Sequence, residues 1–282
     1  MTLIDSVTAR SLHESATVGS RAIPLTPPVN LRDLGGIPMW GGRVREGFAI
    51  RADDLATASA GYVEGLVSGG LRAVIDLRSQ DELDITGRGP LGEQSAVSYH
   101  HVPLMASIGS AVEKASGSDG TESRNTMMDQ SSYGPMYLRM FETAAPQIVT
   151  ALAVIAHAPG AVAFHCAAGQ DRTGVLAASL LLALGASRES VVADYVATGA
   201  NSEAIQIRIS PVLAPLVQRM GFDLNEAARA ATRKVFSDAP MREALDTLTE
   251  RHGDPLEPLR VGGLTDTLVD ALRERALAPE RG

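Results

Sequence analysis

The tightest constraint on how this chain can fold is the run His-Cys-Ala-Ala-Gly-Gln-Asp-Arg-Thr-Gly, His165 to Gly174, set between two apolar stretches. Ala161 to Cys166 is short, apolar and bounded by Pro159-Gly160, the pattern of a buried strand. Val175 to Ala186 is the most apolar stretch of the chain. It falls short of the ~20 residues that span a bilayer and reads as a core helix. A buried strand that feeds a buried helix through small residues turns its loop N–H groups toward the helix N-terminus. That geometry binds phosphate and favours negative charge.

The same alternation extends along the chain. Phe48–Ala52, Leu71–Leu77, Ser98–Leu104 and Ala161–Cys166 read as strands, and Ala60–Val67, Pro135–His157 and Gly174–Leu184 as helices between and after them. Strand alternating with helix implies an α/β fold, a mainly parallel central sheet flanked by helices. Residues 1–28, polar and ending at Pro24, Pro27 and Pro28, are expected as an N-terminal arm, with residues 29–282 as a single domain. Residues 107–134, rich in Ser, Gly, Asp and Glu, read as a flexible insertion. Beyond Glu189 the pattern turns helical, in Val191–Ala197, Ser202–Met220, Leu224–Phe236 and Pro240–Arg251.

Composition narrows the chemistry. A net charge of −8 over 282 residues supplies no field for a polyanion, which argues against nucleic acid and against stable membrane anchoring. With one cysteine there is no intramolecular disulfide, so Cys166 is either a buried small hydrophobe or a reactive thiol. The first twenty residues carry Asp5 and Glu14 and no basic stretch before an apolar core, so a cytoplasmic protein is expected, with export by another route left open.

Phosphate-ester transfer to sulfur needs an ionised nucleophile, donors around the phosphoryl oxygens and an acid for the departing oxygen. The run offers all three. Cys166 at the strand end shares the positive potential that would hold a phosphate, so its thiolate is favoured. Arg172 on the first helical turn presents a planar fork to two oxygens, which a lysine could not do. Gly169 allows a tight loop, and Thr173 can donate a hydroxyl hydrogen bond to the sulfur. Ala167, Ala168, Gly169, Gln170, Thr173 and Gly174 are the expected substrate-binding positions, and His165 a buttress. His100 and His101, as neighbours on a strand, point to opposite faces and are structural; no metal and no cofactor are expected.

These residues resemble the atypical bacterial protein tyrosine phosphatases, the group of the secreted mycobacterial and listerial enzymes, whose signature is His-Cys-x-x-Gly-Lys-Asp-Arg-Thr-Gly. Asn30-Leu-Arg-Asp-Leu-Gly-Gly36, Arg51-Ala-Asp-Asp-Leu and Val74-Ile-Asp-Leu-Arg-Ser79 extend the likeness. The resemblance implies a cysteine-dependent phosphomonoester hydrolase acting on phosphotyrosine proteins or small phosphomonoesters, with phosphoinositides as a further class. It implies Asp171 as general acid inside the loop, although the adjacent cation is expected to lower its pKa. Asp76 is the second candidate and a further expected substrate-binding position, with a turn cap or an ion pair to Arg78 or Arg32 as the structural alternative, and Arg32 and Asp33 are expected to support the loop. Residues 202–251 correspond to a helical lid carrying Arg208, Arg219, Arg229, Arg233, Lys234 and Arg242, each individually expected on a solvated face. Gln170 departs from the signature Lys, keeping hydrogen bonding and losing the charge that would hold a polyphosphorylated ring. The competing reading is a silent module that binds phosphorylated partners through the same loop.

Overall fold

The computed structural model describes residues 14–18, 21–105, 130–219 and 236–277. The chain opens with an antiparallel ribbon of β1 (Glu14–Val18) and β2 (Arg21–Leu25), apart from the central sheet, where an arm was expected. The short strands β3 (Arg32–Asp33), β4 (Pro38–Met39) and β5 (Gly42–Arg43) lead to β6 (Ala49–Ala52). After helix α1 (Ala60–Ser68) come β7 (Leu71–Asp76), α2 (Gln80–Thr86) and β8 (Ser98–His101). Ala161–His165 forms β9, the middle of a five-stranded sheet ordered β3-β6-β9-β7-β8. Every pairing is parallel except that of β3 with β6. The mainly parallel α/β sheet expected from the sequence is the one observed.

Alternation along the strands builds two cores. Val162 and Phe164 of β9 face one core with Ala73 and Ile75 of β7, while Ala161 and Ala163 face the other with Leu71 and Val74. With both faces covered, such strands read as unbroken apolar runs, which is why they were legible. The smaller core is closed by α1 through Tyr62, Val63 and Leu66. The larger holds helix α5 (Asp171–Ala183), apolar on nearly every side because it lies between the sheet and outer helices.

The segment predicted as one helix over Pro135–His157 is two, α3 (Gly134–Thr143) and α4 (Ala145–His157), meeting at 75°. Pro146 in the first turn of α4 has no N–H to donate back, and Ala144 leaves helical geometry at φ −105 and ψ 19. The strand predicted to reach Leu104 ends at His101. Val102 still donates to the Asp76 carbonyl at 2.8 Å, but Pro103 brings no donor. Beyond α5 lie α6 (Arg188–Val196) and α7 (Ser202–Arg219). Predicted helix Leu224–Phe236 and most of the insertion fall outside the described residues, although Gln130–Ser132 form an ordered 3-10 turn.

Helix α8 (Ala239–His252) buries Met241, Leu245 and Leu248 in the larger core, so this part of the expected lid is core packing. Helices α9 (Glu257–Val261) and α10 (Asp266–Leu277) follow, beyond the helices read from the sequence. Arg275 ties α10 to the strands. Its guanidinium donates to the carbonyls of Ala158 (3.1 Å), Phe48 (3.4 Å) and Gly160 and lies over the Phe48 ring at 4.9 Å. Burial and the neighbouring Arg45 hold it down at about 10. Arg275→Met should therefore lower stability by about 1.5–3 kcal/mol, seen as a lower urea midpoint at unchanged m-value. An unchanged midpoint would show that the Arg275 bonds add no net stability.

Candidate active site

Cys166 follows β9 directly, and the loop to Gln170 turns its carbonyls away from the space above the sulfur. The Ala167 carbonyl accepts from the Asp54 N–H at 3.0 Å. Those of Ala168 and Gly169 accept from Asn30 Nδ2 at 3.2 Å each, and Gly169 also accepts from Arg51 at 2.8 Å. A planar trans peptide directs the next N–H opposite to the carbonyl. Amides 168, 169 and 170 therefore face inward, where α5 adds its N-terminal potential. Gly169 sits at φ +66, and a Cβ there would lie 2.6 Å from the Ala52 oxygen and the Asp53 nitrogen. Only glycine permits that approach.

The Cys166 thiol is buried, 1% exposed, and accepts from the Thr173 hydroxyl at 3.2 Å. Arg172 is bound end-on by Glu82 of α2 through both terminal nitrogens, NH2 to Oε1 at 2.9 Å. A guanidinium has five N–H groups, so this clasp leaves its Nε edge for phosphoryl oxygens while holding the plane rigid. Glu82 is itself pinned in a capping box, accepting from the Ser79 N–H at 2.8 Å and the Ser79 hydroxyl at 2.9 Å. Burial pushes its carboxyl up, but Arg172 and the Ser79 donors outweigh it and hold the group below its ordinary value. The sequence reading missed Glu82. Ser79-Gln-Asp-Glu82 is nonetheless a capping-box spacing that marks this helix start.

Asp171 opens α5, its Oδ1 accepting from the Tyr137 hydroxyl at 2.5 Å and Gln170 Nε2 at 3.0 Å. The adjacent Arg172 does pull its pKa down, as expected, but the net shift is upward. Burial raises the carboxyl above its ordinary value, outweighing the Tyr137 bond, Arg172 and the Gln170 bond. A carboxyl so raised keeps its proton to higher pH, as a general acid must.

Asp76 lies elsewhere in function. Fully buried at the end of β7, it accepts from Arg78 Nε at 2.9 Å, from Arg78 NH2 at 2.6 Å and from the Tyr99 hydroxyl. Burial would raise it, but His165 and Arg78 prevail and its carboxyl is held well below the carboxylate range. That is the ion-pair alternative to Arg78, and such a group has no proton to give. Arg78 also reaches Asp54 at 3.2 Å, and His165 lies between Asp54 and Asp76 at 3.7 and 3.9 Å, kept neutral by burial. His165 is thus a buttress beneath the loop.

Arg32 supports the loop indirectly. It donates to Asn30 Oδ1 at 2.8 Å and to Asp194 at 2.9 Å, and Asp194 also pairs with Arg51. Asp33 instead accepts from the Gly35 N–H (2.7 Å) in its own turn and from the Gly47 N–H (2.6 Å) before β6. Gly174 lets α5 approach Tyr195, whose ring would be 3.3 Å from an added Cβ. Of the expected lid cations, Arg208 is not solvated: it pairs with Asp53 at 2.7 Å and donates to Thr26 at 3.0 Å. Arg242 does lie exposed, paired with Asp238. The side chain of Arg219, and Arg229, Arg233 and Lys234 entirely, lie outside the described residues. His101 binds the Arg78 carbonyl at 2.9 Å, and no metal-ligating cluster occurs among the described residues.

The sequence model of the tyrosine phosphatase family matches residues 23–278. A Cupriavidus necator protein whose name assigns it to the tyrosine-protein phosphatases is 34% identical over 171 residues, 59% of this chain and 59% of that protein. The triple specificity protein phosphatase PtpB of Mycobacterium tuberculosis is 27% identical over 259 residues, 82% of this chain and 91% of the relative. A tyrosine-protein phosphatase of Nostoc commune is 28% identical over 151 residues, 52% of this chain and 46% of its own length. The matched stretch thus spans less than two thirds of the Cupriavidus and Nostoc proteins.

The Arg172–Glu82 pair makes a pH-dependent contribution. Because Glu82 is held below its ordinary value of 4.5, the pair's contribution is complete above that value and lost as pH falls through the lowered one. Glu82→Gln should lower stability at neutral pH by about 3 kcal/mol, leaving Arg172 buried and uncompensated. Urea midpoints of variant and wild type should converge on acidification. A constant gap at every pH would rule out the charge pair as its origin.

Proposed function

The chain belongs to the tyrosine phosphatase family, and on that premise we propose that it is a cysteine-dependent phosphomonoester hydrolase acting on phosphotyrosine and small aryl phosphates through a phosphocysteine at Cys166. The observation that carries this reading is the convergence of the buried Cys166 sulfur, inward-facing loop amides and an Arg172 fork clasped by Glu82. The Cys166 sulfur attacks phosphorus as the ester P–O bond breaks, its electron pair passing to the leaving oxygen, which takes the proton of Asp171. Loop amides and the free edge of Arg172 hold the charge on the equatorial oxygens. The Thr173 hydroxyl, 3.2 Å from the sulfur, eases its departure when water then cleaves the phosphocysteine, giving its proton to the Asp171 carboxylate. The raised carboxyl of Asp171 supports turnover over a silent phosphate-binding module. A lone thiol with no resolving cysteine also suits a reducing compartment such as the cytoplasm.

Within the family we place the chain with the atypical bacterial enzymes of the His-Cys-x-x-Gly-Lys-Asp-Arg-Thr-Gly type, on the strength of the run His165–Gly174. A relative named for triple specificity makes serine/threonine phosphoesters and phosphoinositides reasonable further substrates. Gln170 argues for an order among them. Its amide is occupied with Asp171 and brings no positive charge, so a polyphosphorylated inositide gains less here than a single aryl phosphate.

Two measurements test the reading. Cys166→Ser should lower para-nitrophenyl phosphate hydrolysis at least about a thousandfold; turnover that survives the substitution rules out the thiol mechanism. Gln170→Lys should raise kcat/KM for phosphoinositides relative to a phosphotyrosine peptide, and an unaltered ratio would remove Gln170 as the determinant.

A further inference from the structure

Three polar side chains outside the phosphate loop line up on the acid. Gln130, in the 3-10 turn before α3, holds the backbone of Ser237 with both ends of its amide: Oε1 accepts from the Ser237 N–H at 2.8 Å and Nε2 donates to the Ser237 carbonyl at 2.8 Å. This fixes which end is the NH2. Its second hydrogen points to the Tyr195 hydroxyl at 2.7 Å, so that oxygen is an acceptor. Tyr195 then has its own hydrogen for Tyr137, 2.8 Å away, and Tyr137 has its hydrogen for Asp171 Oδ1 at 2.5 Å. The backbone of Ser237 therefore orients every member, and the chain runs one way: Gln130 to Tyr195 to Tyr137 to Asp171. Aromatic packing holds the two rings edge to face, with centroids 5.8 Å apart, and Phe236 lies against Tyr195 at 5.1 Å.

Gln170 donates to the same Oδ1 at 3.0 Å. A carboxyl oxygen has two lone pairs in its plane, and here two donors take them, so the acid proton belongs on Oδ2. We propose that Tyr137, Tyr195 and Gln130 are positioning residues for catalysis, a one-way hydrogen-bond chain that, with Gln170, places the transferable proton of Asp171 on Oδ2 and stabilises the carboxylate left when it departs. This rests on the reading of Asp171 as general acid. In the step itself the Oδ2–H bond breaks, the leaving oxygen gains that proton as its bond to phosphorus breaks, and the negative charge appears on a carboxylate already facing two donors. Each hydroxyl that donates forward also accepts from behind, which polarises it and strengthens the next bond. Burial and the neighbouring Asp171 raise the Tyr137 hydroxyl far above its ordinary value, so it remains a donor at working pH.

A merely structural role and a positioning role separate on leaving-group basicity, because an acidic phenol departs with little protonation and a basic one needs it. The test compares kcat/KM for para-nitrophenyl phosphate and phenyl phosphate in wild type, Asp171→Asn, Tyr137→Phe and Tyr195→Phe. Asp171→Asn should widen the ratio between the two substrates by about a hundredfold, Tyr137→Phe by about tenfold and Tyr195→Phe by about threefold. Tyr195→Phe keeps the test decisive if Tyr137→Phe fails to fold, since it breaks the same chain one link back. Equal losses on both substrates in the folded tyrosine variants, with Asp171→Asn still selective, would overturn the positioning chain alone. An unchanged ratio in Asp171→Asn would overturn the acid assignment and the chain with it, leaving the Cys166 mechanism to be judged by Cys166→Ser.

Discussion

Consecutive carbonyls tied outward decide everything else at this site. Ala167, Ala168 and Gly169 each give their oxygen to a donor fixed on the neighbouring β3–β6 region, namely the Asp54 N–H, Asn30 and Arg51. Once those bonds form, the planar peptide leaves the intervening amides no direction but inward. The same anion-attracting field then serves the sulfur and the phosphoryl group. Gly169 is the hinge of that arrangement, since any side chain at φ +66 would strike the backbone of Ala52 and Asp53.

Beneath and beside the loop lie buried ion pairs that specify geometry more than they add stability. Arg78 is shared by Asp54 and Asp76, Arg51 and Arg32 by Asp194, Arg208 by Asp53, and Arg172 by Glu82. Desolvating such pairs costs about as much as their attraction returns. Their value is direction. Arg51 is aimed at the Gly169 carbonyl, and Glu82 fixes Arg172 beside Cys166.

Much of this was legible in the chain because the relevant signals are local. Strands buried on both faces read as unbroken apolar runs, and the proposed nucleophile, fork and acid all lie within Cys166 to Arg172. The failures were equally physical. The Pro146 break was absorbed into one long helix, because an apolar pattern continues across it. The net shift at Asp171 was missed because burial, a product of tertiary packing invisible to spacing, outweighs Arg172. Arg208 looked solvated on its helix, yet its partner Asp53 sits 155 residues away. Glu82 alone had a local signature that went unused, the Ser79 capping box.

The most direct measurement is to quench the reaction with acid during turnover, digest the protein and locate the phosphoryl group by mass spectrometry. A thiolate cradled as described predicts phosphate on the peptide carrying Cys166, rising when release is slowed by Asp171→Asn with a good leaving group. Phosphate on any other residue, or an unmodified Cys166 peptide while hydrolysis proceeds at full rate, would contradict the account.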